Sequence, residues 1–148
     1  MWKGEQKMED VSILKEINKD SKMGMDSLSI ILKKVEDEDF KKVLNNQHDE
    51  YQNIFDRTQE LLVQEKEDIK DTSPMIKTMS WMGIQLNTIN DNSNSKLSEI
   101  LIQGNNMGII KGTKLLNDGT YKEKQVKNIL NDFVRLQEKN IDDLKKYL

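Results

Sequence analysis

Apolar residues recur along this chain at three- and four-residue steps almost throughout, the period of an amphipathic helix, and strand-type alternation is nearly absent. The first stripe runs through Leu14, Ile17, Ser21, Met25, Leu28, Ile31 or Leu32, and Val35. After the charged turn Val35-Glu36-Asp37-Glu38-Asp39, a second takes Phe40, Leu44, Gln47, Tyr51, Ile54, Thr58, Leu61 and Glu65. Thr72 or Ser73 can cap a helix with Pro74 at its first position, a favourable start, and that helix carries Met75, Met79, Met82, Leu86 and Ile89. Asp91-Asn92-Ser93-Asn94-Ser95 reads as a break and a new cap, although the apolar phase nearly carries through and a bent continuous helix stays open. Leu97, Ile100, Leu101, Gly104, Met107, Gly108 and Leu115 make the next stripe. Asn117-Asp118-Gly119-Thr120 is a turn, and Val126, Ile129, Leu130, Phe133, Gln137, Ile141, Leu144 and Leu148 complete the pattern. The pattern predicts an all-α domain over residues 12–148 behind a flexible tail at 1–11. Its helices are expected near 12–35, 37–66, 74–90, 95–117 and 121–147.

The two ends of the chain echo each other. Met23-Gly24-Met25 followed by Ile31-Leu32 matches Met107-Gly108-Ile109 followed by Leu115-Leu116 at an offset of 84. Phe40-Lys41-Lys42-Val43-Leu44-Asn45-Asn46 matches Val126-Lys127-Asn128-Ile129-Leu130-Asn131-Asp132 at an offset of 86, the difference falling in the turn where an insertion does least harm. The chain therefore reads as hairpin, connector, hairpin. The connector over residues 67–92 exceeds the two to eight residues usual between bundle helices. A helix of about 16 residues from Pro74 would cover roughly 24 Å, enough to run along most of a bundle.

With 148 residues and 33% of them charged, the surface is expected to be strongly polar around one core. No stretch reaches the roughly 20 apolar residues of a membrane span, and Met1-Trp2-Lys3-Gly4-Glu5 leads into charge rather than an apolar signal region. A cytoplasmic protein is expected, with spore association open. A formal charge of −3, with lysines interspersed among acids, argues against a dedicated nucleic-acid binder. The lack of cysteine removes disulfides, thiolate catalysis and zinc–thiolate sites. Alanine is absent and Arg57 and Arg135 are the only arginines, a bias that suggests an AT-rich bacterial genome.

On Ser21-Lys22-Met23-Gly24-Met25, Asn45-Asn46-Gln47-His48-Asp49-Glu50-Tyr51, Glu99-Ile100-Leu101-Ile102-Gln103-Gly104 and Gln137-Glu138-Lys139-Asn140-Ile141, the chain resembles the ferritin-like superfamily. The likeness is to small Firmicute bundles of the spore-coat and rubrerythrin-like kind. It covers about residues 12–148 and lies in pattern more than in a diagnostic motif. It implies two helical hairpins in a four-helix bundle with an additional crossover helix, and raises iron or manganese binding and redox chemistry as a possible activity.

Such a dimetal centre takes carboxylates from two helices and a Glu-x-x-His pair from each of the other two. This chain has one histidine, His48, preceded three positions earlier by Asn45; Glu50 is followed by Asn53, Gln103 by Asn106 and Glu138 by Ile141. Under the repeat, His48 falls opposite Val134 and Glu50 opposite Leu136. A divergent site for a hard cation would need Glu16, Glu50, Glu99 or Glu138, with help from Gln103. The expectation is accordingly no metal, no cofactor and no catalytic residue, His48 serving as a hydrogen-bonded residue at the core edge.

Gly104, Gly108 and Gly112 share one helical face, which at roughly 1 kcal/mol each in a helix interior implies close approach by a neighbouring helix rather than a phosphate loop. Met75, Met79, Met82 and Met107 read as core filler for a crossover helix or, alternatively, as an adaptable binding surface. An exposed Trp81 would be the natural anchor for a homodimer contact. The expected role is non-enzymatic, structural or protein-interacting, with a divergent metal-binding or redox protein as the alternative.

Overall fold

The computed structural model describes residues 3–65 and 80–148, with side chains from residue 9 onward. Those residues are all-helical: α1 (Lys3–Leu32), α2 (Glu38–Gln64), α3 (Trp81–Thr88), α4 (Asn94–Asp118) and α5 (Lys124–Lys145). No strand occurs among them, and no helix is long and apolar enough to cross a membrane.

Local chemistry sets most of the boundaries. The Asp37 carboxylate accepts the Phe40 N–H at 3.0 Å, and the acids Glu38 and Asp39 that follow complement the positive end of α2. Ser80 and Ser93 likewise accept from the N–H groups of Gly83 and Lys96, opening α3 and α4. The break at Asp91–Ser93 is thus real, and α3 and α4 are separate helices. Gly119, at φ +60°, ends α4 in the left-handed conformation that glycine adopts without strain.

Two expectations are corrected. The tail expected over 1–11 is helical where it is described, since α1 reaches back to Lys3 and Asp10 is buried. Glu123, at the N-cap of α5, makes no side-chain cap of its own. Asp10 supplies one from a distance, accepting the Lys122 and Glu123 N–H groups at 2.8 and 3.0 Å, and this ties the first helix to the last. Nor does one helix run over 74–90, because Ser80 is extended and α3 begins only at Trp81. Its eight residues span about 12 Å, half the length expected. Pro74 and the cap proposed at Thr72 or Ser73 lie outside the described residues.

Helices α1 and α2 pack as one hairpin and α4 and α5 as the other, while α2 meets α5, and α1 meets both α4 and α5. Polar contacts fix the directions. Asp10 joins the start of α1 to the start of α5, and Asn94 donates to Asp37 where α4 and α2 begin, so each of these pairs runs the same way. Arg57 to Asp132 and Lys139 to Glu50 tie α2 antiparallel to α5. Helix α3 lies against α1 and α4.

The core is formed by one cluster that includes Leu14, Ile17, Leu28, Phe40, Leu44, Leu97 and Leu130, all nearly inaccessible to solvent. The inward phase differs from the expected stripe at a few positions. Leu62 is fully buried where Leu61 is half-buried, Asn140 is fully buried where Ile141 is half-buried, and Met107 is half exposed. Adjacent residues stand about 100° apart on a helix, so a small rotation against a neighbour exchanges them.

Candidate cavity between the hairpins

The internal echo has a structural counterpart in the glycines. A Cβ on Gly24 would lie 2.8 Å from the Tyr51 ring, and one on Gly108 would collide with the Gln137 amide. Gly24 and Gly108 are related by the offset of 84, and Tyr51 and Gln137 by the offset of 86. In both hairpins, then, a glycine on the first helix makes room for a large side chain from the second. The close approach inferred from the glycine face comes from side chains, with Val134 playing the same part over Gly112 at 2.6 Å.

Gly24 and Gly108, together with Gly104, border a cavity of about 310 Å3. Its apolar walls include Met23, Leu28, Trp81, Met82, Leu101 and Phe133. Its polar lining includes Gln47, Tyr51, Asn105 and Gln137, each no more than 6% exposed, and also Ser27, Ser80, Asp20 and Lys111. The Tyr51 hydroxyl donates to Asn105 Oδ1 at 2.8 Å, Asn105 donates to the Leu101 carbonyl, and Asn140 donates to Asn105 Oδ1 at 3.3 Å. Burial pushes the Tyr51 phenol well above the ordinary tyrosine range, the Asn140 amide working against that shift, so the phenol stays neutral.

The two glutamines differ from this network. Gln47 Nε2 and Gln137 Nε2 are buried and have no hydrogen-bond partner. Ser21 Oγ, Ser98 Oγ and Asn140 Oδ1 share that condition but do not line the cavity. A buried unpaired donor costs about 1–3 kcal/mol, and since neither nitrogen is open to a water-sized probe that cost is borne within the packing rather than relieved from the cavity.

On the more exposed side, Lys111 contacts the Glu16 carboxylate and lies 3.0 Å from that of Asp20. The hydrogen bond from Lys111 holds Glu16 below its ordinary value, while loss of solvent raises Asp20 despite the same ammonium. Burial disfavours the Lys111 charge, but its hydrogen bonds to Glu16 and Asp20 outweigh this and its pKa is raised.

The carboxylates considered as metal ligands lie apart on the surface. Glu16 pairs with Lys111, Glu50 with Lys139 and Glu99 with Lys96, and Glu138 is exposed. Among the described residues no three histidine, cysteine or acidic side chains are grouped to hold a metal ion. His48 is partly exposed, with Nδ1 4.0 Å from the Asp49 carboxylate, and does not line the cavity. Trp81 is half-buried at the cavity edge rather than a free surface anchor, Met82 is buried in the core, and Met75 and Met79 lie outside the described residues.

Sequence reasoning placed Ser21, Gln47, Thr58 and Gln137 on the apolar stripes without assigning them a purpose. A polar residue in the buried phase was the available signal, and all four are buried. Asn105, Asn140, Asp20 and Lys111 carried no such mark, because their roles depend on other helices. No known protein family matches the chain, and neither do any curated protein or solved structure.

Proposed function

We propose that this chain is a non-enzymatic ferritin-like four-helix bundle that works by binding, and that a small molecule occupies the cavity between its hairpins. The shared starts of α1 with α5 and of α4 with α2 support an up-down-down-up order, which needs a long crossover between the hairpins. The observation that carries the binding role is the cavity itself, which all five helices line and which joins apolar walls to buried polar side chains. A cavity of about 310 Å3 falls at the lower end of small-molecule sites, about 300–1,000 Å3, and combines apolar walls with few polar groups as such sites do. The neutral Tyr51, the salt-bridged Lys111 and the absence of cysteine provide no activated nucleophile. A structural or protein-interaction role in a bacterium is compatible with such binding, the ligand then setting the state of the partner surface.

A fragment screen read by amide chemical shifts tests this reading. Binding fragments are expected to move the resonances of Gly24, Gly104 and Gly108, and Gly104→Leu, whose side chain would enter the space beside Met82, is expected to abolish those shifts while leaving the helical circular dichroism intact. Hits clustered elsewhere, or shifts that persist in Gly104→Leu, would overturn it.

A further inference from the structure

We infer that the cavity takes a compact organic cation, a protonated amine carried on one or two rings, with the Asp20 carboxylate as its counter-ion. This rests on the reading that the cavity is the working site and adds the chemistry of its occupant.

Charge around the cavity is unbalanced on one side. Among the described residues of the lining, Asp20 is the one acid and Lys111 the one base. Lys111 also contacts Glu16, which lies outside the lining, so a single ammonium serves two carboxylates. The group carries one net negative charge when both acids are ionised.

The two acids do not share Lys111 equally. The Glu16 side chain is 41% exposed, and its hydrogen bond from Lys111 holds it below its ordinary value. The Asp20 side chain is 20% exposed, and its loss of solvent outweighs the same ammonium. The negative charge least compensated by water or partner therefore stands on the cavity wall. A carboxylate offers about four lone-pair sites, so Asp20 has capacity for a second donor beside Lys111.

The walls define the rest of the molecule. Tyr51, Trp81 and Phe133 line the same space as Met23 and Met82. Aromatic rings attract a cation through their negative faces, and the methionine thioether is polarizable and adapts to varied shapes. An apolar amine uses both parts of such a lining, its rings against the walls and its ammonium toward Asp20. An anion would instead add a second negative charge beside Asp20, in a medium where like charges repel strongly. A volume of about 310 Å3 suits one or two rings better than a long chain.

The test uses the full chain carrying Trp2→Phe, so that Trp81 is the only tryptophan. Its fluorescence is titrated at neutral pH with 1-aminoindane, indane and indane-1-carboxylate, three compounds of similar shape that differ in charge. The amine is expected to bind about tenfold more tightly than indane, the discrimination of one charge-assisted hydrogen bond, and the carboxylate is expected not to saturate. Asp20→Asn should bring the amine-to-indane ratio toward unity while indane still binds, which shows that the pocket is folded. Glu16 lies outside the lining, yet Glu16→Gln should lower the ratio as well, because Lys111 then serves Asp20 alone. Indane binding as tightly as the amine, or a ratio unmoved by Asp20→Asn, would sink the counter-ion assignment and leave the cavity reading standing. A ratio unmoved or raised by Glu16→Gln would overturn the division of Lys111 between the two acids, on which the assignment depends. Tightest binding by the carboxylate would reverse the sign of the charge selected and so overturn it too. Failure of all three compounds to perturb Trp81 would remove the ligand class, and the fragment screen then decides separately whether the cavity binds anything.

Discussion

At the scale of single residues, the Lys111 group has a pH signature whose parts oppose each other. Desolvation raises Asp20, so folding favours its protonated form. The stability this supplies is fully present below the unfolded value, near 3.8, and is lost as pH rises through the folded value. Glu16 is lowered by its hydrogen bond to Lys111, so its contribution is present above the unfolded value, near 4.5, and is lost as pH falls through the folded one. Urea denaturation across the acid range separates the two. The stability of the wild type relative to Asp20→Asn should decrease as pH rises from about 3.8, whereas relative to Glu16→Gln it should increase with pH. Parallel pH profiles for the two comparisons would show that this account of the group is wrong.

At the scale of helices, the glycines are not equivalent although they share a face. Gly108 faces the Gln137 amide inside the hairpin, so an added methyl must displace a buried polar group. Gly104 faces only the terminal methyl of Met82, at 2.7 Å, the far end of a flexible side chain. Alanine gains roughly 1 kcal/mol of helix propensity at either site, while overpacking a buried contact costs about 1–3 kcal/mol, and Gln137 is only 3% exposed. Gly108→Ala is therefore expected to destabilise, and Gly104→Ala to be neutral or stabilising, in urea melts of the full chain. The reverse order would mean that the close contact of Gly108 with Gln137 is not what requires glycine there. The glycine face was legible in the sequence as a demand for proximity, but which glycine met a buried polar side chain was not.

At the scale of the whole molecule, Asp10 matters more than its place near the beginning of the chain suggests. It caps α5 across 112 residues of sequence, and the pair corresponding to it under the repeat is Asn94 with Asp37. The two are unequal, since Asp10 is buried with two hydrogen bonds and Asn94 is half-buried with one at 3.4 Å. Asp10→Ala should cost about 0.5–2 kcal/mol, the range for a lost N-cap, and should speed hydrogen exchange at Val126 through Ile129 as well as around Val11. Asn94→Ala should have a smaller effect in the same measurement. An exchange change confined to α1 would show that the link between the first and last helices is not what stabilises α5.

The sequence by itself determined the helices and most of their edges. These follow from interactions within a few residues: the helical period of the apolar positions, the acids and serines before α2 and α4, and glycine after α4, whereas the start of α3 at Ser80 was not foreseen. It also held the repeat, since Gly24 and Gly108 could be paired by spacing alone. Only the tertiary structure decided that α1 begins as early as Lys3, that Asn140 rather than Ile141 faces inward, and that the amide nitrogens of Gln47 and Gln137 are buried without a partner. Whether a buried polar group is satisfied depends on partners brought from distant segments, as Asn105 takes Tyr51 from 54 residues away and Asn140 from 35. Those distances close only when the hairpins pack, which is why the stripe showed polar residues in the buried phase but not what they face.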